Sequence, residues 1–562
     1  MDKRVIIAIA LCLGVLVVWT QLFSPPPKPA AQPPVATSPT GADAGQAAGA
    51  STAPAGGAAV AAAGGGAAAV TNRPERQVEV LTPNVRFVFS SLGATLAHAQ
   101  LREKQFLDKP GDPNTGHDVV RAANGQQLPL HIDFVEGLAT PPDGAWDVMP
   151  QTSADTVVFA ADSGNVHIEK RYRADAKSYR VSLDVVLSNR GDAPVNHNLA
   201  IAVTGRQDPE RRGGGIFSAV SANVSSALCF VNGSVTRESI ESLTQTPKTH
   251  DGVVSWMATD EKFFMLAAVP SAEPPGRNRT CAMLSTGADA GMVKLSFAQR
   301  TVPPRGEVSY PFTVFAGPKR IEDLEELATP AAPNAPIVSG EELHLSKAVD
   351  VTLAPIAGPL LTVLKFFHRF AHNWGVAIVL LTIFIKLLTF YPTQKSLMSG
   401  KRMQKLAPKM AAIRKKYEND RQRMSMETMN LYKAHGVSPV GGCLPMLIQM
   451  PIWIALYSTL NYAVDLYRAP FFGHIQDLTA KDPFYITPLV MGGVMVLQMR
   501  MSPAGADKQQ QAIMSVMMPI MFTVFSLFLP AGLALYMLTS YLIGIIQQLY
   551  INHLDRKGAI GV

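Results

Sequence analysis

The chain has 562 residues, of which 47% are hydrophobic and 17% charged, with a formal charge of +7 and a mean hydropathy of +0.13. That length allows several domains, and that apolar fraction argues against a wholly soluble chain and for a membrane protein. The basic excess argues against a nucleic-acid binder because it is local: residues 394–440 hold eleven lysines and arginines against three acids, a larger surplus than that of the entire chain.

In chain order, the apolar run 5–23 follows Lys3 and Arg4 and lacks a small-x-small cleavage site before SPPPKPAAQPP, which predicts an uncleaved transmembrane anchor over residues 1–23. Residues 24–75 are Pro, Ala and Gly with almost no large apolar side chain, the composition of a flexible linker. From 76 to 330 the period becomes two, as in Val166, Ile168, Lys170, Tyr172 and again in Val308, Tyr310, Phe312, Val314. This alternation predicts a large antiparallel β-sandwich. Tied to the membrane by a linker alone, such a domain is expected to be separable from the C-terminal half. Cys229 and Cys281 lie within it, and their spacing leaves their pairing open.

Residues 331–373 form a connector ending in TLAPIAGPLLTVLKFFHRFAHNW, where Lys365, His368, Arg369 and His372 share one helical face. The His368/His372 spacing suits metal ligands, but the glutamate of H-E-x-x-H is missing and the neighbours are cationic, so an interfacial amphipathic helix is the expectation. Five further apolar runs come next: 374–391 within a span of 374–393, then 441–463, 483–501, 512–529 and 531–549. The bias of Lys and Arg places the basic segment 394–440, the tail 550–562 and the N-terminus in the cytoplasm, with the β domain and the loop 464–482 outside. The segment 394–440 itself reads as a helical hairpin. Met403, Leu406, Met410, Ile413 and Tyr417 step by 3 and 4 along its first arm like a coiled-coil seam.

Lys386 is the residue that asks for a function. It sits in the run LLTIFIKLLTFYPT, with Thr382 and Thr389 on its helical face and no Asp or Glu in any expected span. Snorkelling to the interface would explain it blandly. Polar company in the other spans, Gln449, Asn461, Tyr536, Ser540 and Gln547, points instead to a hydrated groove with a positive charge inside. Met446, Met450, Met514, Met518 and Met521 would line an apolar slide beside it, or simply fill a core. On the hairpin, Lys401, Arg402, Lys405 and Lys409 are either a topogenic, solvated face or a docking surface, with Met410 and Ile413 as its seam. A solute transporter and a structural assembly factor remain open beside a chain-inserting role.

Four stretches go further. SPVGGCLPMLIQMPIWIALY (438–457), RAPFFGHIQDLTAKDPFYITPLVMG (468–492), LPAGLALYMLTSYLIGIIQQ (529–548) and SWMATDEKFFMLAAVP (255–270) resemble the bacterial YidC membrane protein insertase family in its Gram-negative form. The resemblance covers nearly the whole chain. It implies an N-terminal anchor, five core transmembrane helices and a periplasmic β-super-sandwich in the inner membrane. It further implies work on nascent inner-membrane proteins, alone or with the SecYEG translocon, with weak ribosome contact through the cytoplasmic loops and contact with membrane lipids. The family's groove cation is usually arginine; Lys386 keeps the charge but not the fork of donors. No enzyme activity, cofactor, nucleotide site, metal or specific nucleic-acid sequence is expected.

Overall fold

The computed structural model describes residues 74–557 apart from 110, 123–124, 152, 208–224, 273–276, 328–342, 350–352, 438–443 and 502–512. The expected anchor at 5–23, nearly all of the linker and the segment joining the fourth and fifth spans lie outside the described residues.

Alternation builds the first half. In strand Val166–Ala174 the residues Val166, Ile168, Lys170 and Tyr172 are all buried while their neighbours are more open, as a period of two requires. That strand belongs to a nine-stranded antiparallel sheet. Its middle runs through Val254–Asp260, Phe264–Pro270, Glu307–Pro318 and Arg180–Asn189. Phe264–Pro270, FMLAAVP, is buried at every residue, so the sheet is covered on both faces there. A five-stranded sheet, with Arg279–Ser285, Ala290–Ser296 and Leu199–Arg206 at its centre, and a three-stranded sheet of Gln77–Leu81, Val85–Ser90 and Thr95–Leu101 share the same core. Cys229 of the large sheet and Cys281 of the five-stranded sheet form a disulfide that joins the two layers. Part of the expected connector belongs to this domain too: Leu345 and Ala348 are fully buried, and Trp256 Nε1 donates to the Leu343 carbonyl at 3.0 Å.

The second half is helical. Helix α1 (Ala354–Ala371) precedes α2 (Trp374–Leu388), α3 (Phe390–Lys405), α4 (Ala407–Lys416) and α5 (Arg421–Ala434). Then come α6 (Leu444–Tyr462), α7 (Ile486–Met501), α8 (Met518–Ser526) and α9 (Ala531–Arg556). Among the described residues α9 is long and apolar enough to cross a membrane, and the pair α2 and α3 passes the same test jointly but bends by 63°. The bend falls inside the expected span 374–393 and divides it at Thr389. Pro392 has no N–H for the Leu388 carbonyl and its ring clashes with that carbonyl, so the helix stops at Leu388 and restarts at Phe390. The same effect from Pro408 divides the hairpin's first arm at Leu406.

The two halves touch through more than the N-terminal linker. Val464 and Tyr467, from the loop after α6, lie in the β-domain core. The Tyr467 ring packs against Phe263 and Phe264 at 5.3 and 5.2 Å and against Phe106 at 5.9 Å. Arg468 donates to the Leu107 carbonyl at 2.7 Å and pairs with Asp108. Lys365 of α1 adds a bridge to Glu322, at 2.7 Å, and to Asp465, at 3.2 Å. Burial opposes its charge, but the two carboxylates hold the ammonium above its usual value.

Candidate functional site

A cation inside an apolar helix needs a partner or water, since desolvating it alone is costly. Lys386 sits in the last turn of α2, half-buried, and makes no hydrogen bond or ion pair with any described residue. Its neighbours on that helix do not serve it. Thr382, fully buried, donates its hydroxyl to the Ile378 carbonyl at 2.7 Å, and Thr389 donates to Ile385 at 2.9 Å. Both hydroxyls donate into their own helix, and neither oxygen accepts a hydrogen bond from Lys386.

The other polar residues occupy several depths. Gln449 of α6 donates to the buried Tyr536 hydroxyl of α9, one direct link between two groove candidates. Asn461 is 12 residues further along α6, about 18 Å at 1.5 Å per residue, and its side-chain oxygen is buried without a hydrogen-bond partner among the described residues. On α9, Ser540 is half-buried and Gln547 is 6% exposed. Apart from the Gln449–Tyr536 contact, the set is spread along the helices rather than gathered in a compact cluster.

Of the slide candidates, Met450 and Met518 are half-buried and Met521 is 55% exposed. The side chains of Met446 and Met514 lie outside the described residues. Sequence reading missed the company Met521 keeps: Val516, Met517, Ile520 and Val524 are exposed with it, a continuous apolar face that the run VMMPIMFTV could have shown.

The hairpin is more committed than its charges suggested. Lys405 pairs with Asp555 of α9 at 2.9 Å and Lys409 donates to His435 at 3.1 Å, so two of the four proposed docking charges tie the hairpin down. Lys401 and Arg402 are half-buried. Met410 is 6% exposed, clusters with Leu406, Tyr432 and Val437, and takes a contact from the Tyr432 hydroxyl at 2.9 Å. Ile413, on the same helix α4 as Met410, is half-buried outside that cluster. Asp420 caps α5 through the Arg423 N–H at 2.9 Å.

Residues 366–557 match the family model "60Kd inner membrane protein" and residues 77–362 match "YidC periplasmic domain". The class is thus an inner-membrane protein with a periplasmic β domain. Over 580 residues the chain is 33% identical to a membrane protein insertase YidC of Syntrophus aciditrophicus, covering 98% of this chain and 99% of that one. Over 562 residues it is 35% identical to the protein of the same name from Anaeromyxobacter dehalogenans, covering 97% and 96%. A crystal structure of an active YidC insertase with its first transmembrane domain resolved overlaps 84% of this chain and 92% of that one, at 19% identity. Its TM-score is 0.35, too loose to carry the assignment, which rests on the sequence matches. The chain belongs to the YidC membrane protein insertase family.

Proposed function

We propose that the chain inserts and chaperones nascent inner-membrane proteins by sheltering their polar segments beside Lys386. The observation that carries this reading is the half-buried lysine without a partner among the described residues, in a helical half whose expected spans hold no carboxylate. A proton or ion relay would keep a titrating acid there; a lone cation calls for water and for passing polar or acidic chain. The incoming segment's polar end enters a hydrated groove open toward the cytoplasm. Its apolar helix meanwhile moves along α6 and α8, where Met521, Ile520 and Val524 offer an exposed apolar face, and leaves sideways into lipid. In this reading six spans place both termini in the cytoplasm. The hairpin's remaining charges, Lys401 and Arg402, meet ribosome or anionic lipid, and SecYEG hands over clients that need both machines. No covalent step enters it.

The test is charge reversal in reconstituted membranes. Lys386→Arg retains insertion, while Lys386→Glu slows insertion of clients with acidic translocated regions about tenfold, roughly 1.4 kcal/mol in the barrier. Equal rates for the parent chain and Lys386→Glu on such clients leave only snorkelling. Photo-crosslinks from a stalled nascent membrane protein to α6 separate insertion from solute transport, which would instead give substrate flux in liposomes holding this protein alone.

A further inference from the structure

The β domain holds a cleft to which the proposed insertion role assigns no part. Its volume is about 810 Å³, within the range of small-molecule sites. It is lined by Ala97 and His98 of strand Thr95–Leu101, by Asp118 and Gln127 of the segment after that strand, and by His131 and Asp143.

The polar groups in it are held in place. His98 Nδ1 lies 2.6 Å from one oxygen of Asp118, whose other oxygen accepts from the N–H groups of Ala99 and Val120 at 3.0 and 3.1 Å. His131 is 6% exposed, with Nε2 at 2.8 Å from Asp143 and Nδ1 at 3.4 Å from Asp133. Behind them the fully buried Lys170 donates to the carbonyls of Gly93 and Leu130, at 3.1 and 2.6 Å, the chain neighbours of the lining residues Leu92 and His131. Burial pushes this ammonium well below its usual value, so the fold retains an expensive group to position two lining segments. Lys170 is a positioning residue.

The chemistry narrows the occupant. Arg121 pairs with Glu261 and Arg206 with Asp289, each at 2.9 Å, so both guanidinium groups of the lining already face a carboxylate and offer little to an anion. Nor does the strand Thr95–Leu101 offer a free edge to an extended polypeptide. Leu96 N–H donates to Pro129, Val119 N–H to Ala99 and Leu101 N–H to His117, at 3.1, 3.0 and 2.9 Å. What is left is two imidazole–carboxylate pairs and the Gln127 carboxamide beside Leu92, Val120 and Leu128, since Gln126 is already engaged by Thr286 and Gly291. Planar donors and acceptors next to an apolar surface suit a neutral ring whose faces are C–H and whose edge is hydroxyl. We propose that this cleft binds a saccharide, whose hydroxyls hydrogen-bond to the His98–Asp118 and His131–Asp143 pairs. The proposal is independent of the insertion reading.

The experiment uses the full chain in nanodiscs, because glycoside detergents would carry the probe's own chemistry. Saturation-transfer NMR is recorded with maltotriose, with tri-N-acetylchitotriose and with an acetylated, amidated Gly-Ser-Asn hexapeptide. At least one saccharide gives a signal and the peptide gives none. His98→Ala, at a side chain 47% exposed, and Gln127→Ala each weaken saccharide binding about tenfold, the loss of one or two hydrogen bonds, with thermal melting unchanged. If His98→Ala shifts melting, Gln127→Ala alone decides. Silence from both saccharides, signals that persist in the deciding variant, or a peptide signal that the same substitution removes overturns the proposal.

Discussion

The β half and the helical half solve opposite problems. In the β half the buried carboxylate of Asp260, with a side chain 0% exposed, is held by Arg237 and Lys319, each at 2.9 Å, and a disulfide closes the two layers. In the helical half Lys386 is left without a partner among the described residues, and large apolar side chains such as Leu387, Leu388 and Ile520 stand 68, 67 and 57% exposed. The β half is stapled by buried ion pairs and a disulfide, whereas the helical half turns large apolar side chains outward.

The contrast is sharpest at the disulfide. Reducing Cys229–Cys281, or replacing both by alanine, removes a cross-link over 52 residues, worth about 4 kcal/mol in the chain-entropy account. The β domain's unfolding transition falls by several degrees or more in calorimetry while Lys386-dependent insertion at low temperature is unchanged. A loss of insertion as well would break the division between the halves.

At the junction, Tyr467→Ser empties the ring's place among Phe106, Phe263 and Phe264, a loss of about 2 to 3 kcal/mol. Hydrogen exchange then rises both in Phe264–Pro270 and at the outer end of α6. A rise on one side only would mean that the contact does not couple them. In the hairpin, Met410→Ser costs about 2 kcal/mol and exposes α4 and α5 to protease, whereas neutralising Lys401 and Arg402 leaves the digestion pattern intact. The smallest effect is Asp323. Burial raises its carboxyl from 3.8 to about 6, against the partial help of Arg320 at 3.6 Å. A raised acid favours the folded state while protonated, so stability falls as pH climbs from about 4 to 6 and is flat above. Discounted for solvent screening, Asp323→Asn gains about 1 kcal/mol at pH 7 and nothing at pH 4 in chemical denaturation.

The β domain was legible because burial on a pleated strand leaves a period of two in the residues, and even Lys170 kept the interior parity. Its partner in the helical half was not legible. Tyr467 finds Phe106 and Phe264 hundreds of positions away, and no local pattern marks an aromatic that will be claimed by a distant core. Lys386 stood out because a charge in an apolar run is rare, but the hydroxyls beside it could not be assigned from spacing alone: a threonine on the right face can still bond its own helix, as Thr382 does. The breaks at Leu388 and Leu406 had a local signal, the prolines at 392 and 408, that hydropathy and heptad spacing overrode.

The elbow at Thr389 makes α3 a lever. Its 16 residues are about 24 Å long, so a rotation of about 10° at the fulcrum carries Lys405 through about 4 Å by simple trigonometry on that length. That travel exceeds the 2.9 Å separating Lys405 from Asp555. A small change of angle at Thr389 is thus magnified at the tip, where Lys405 meets Asp555.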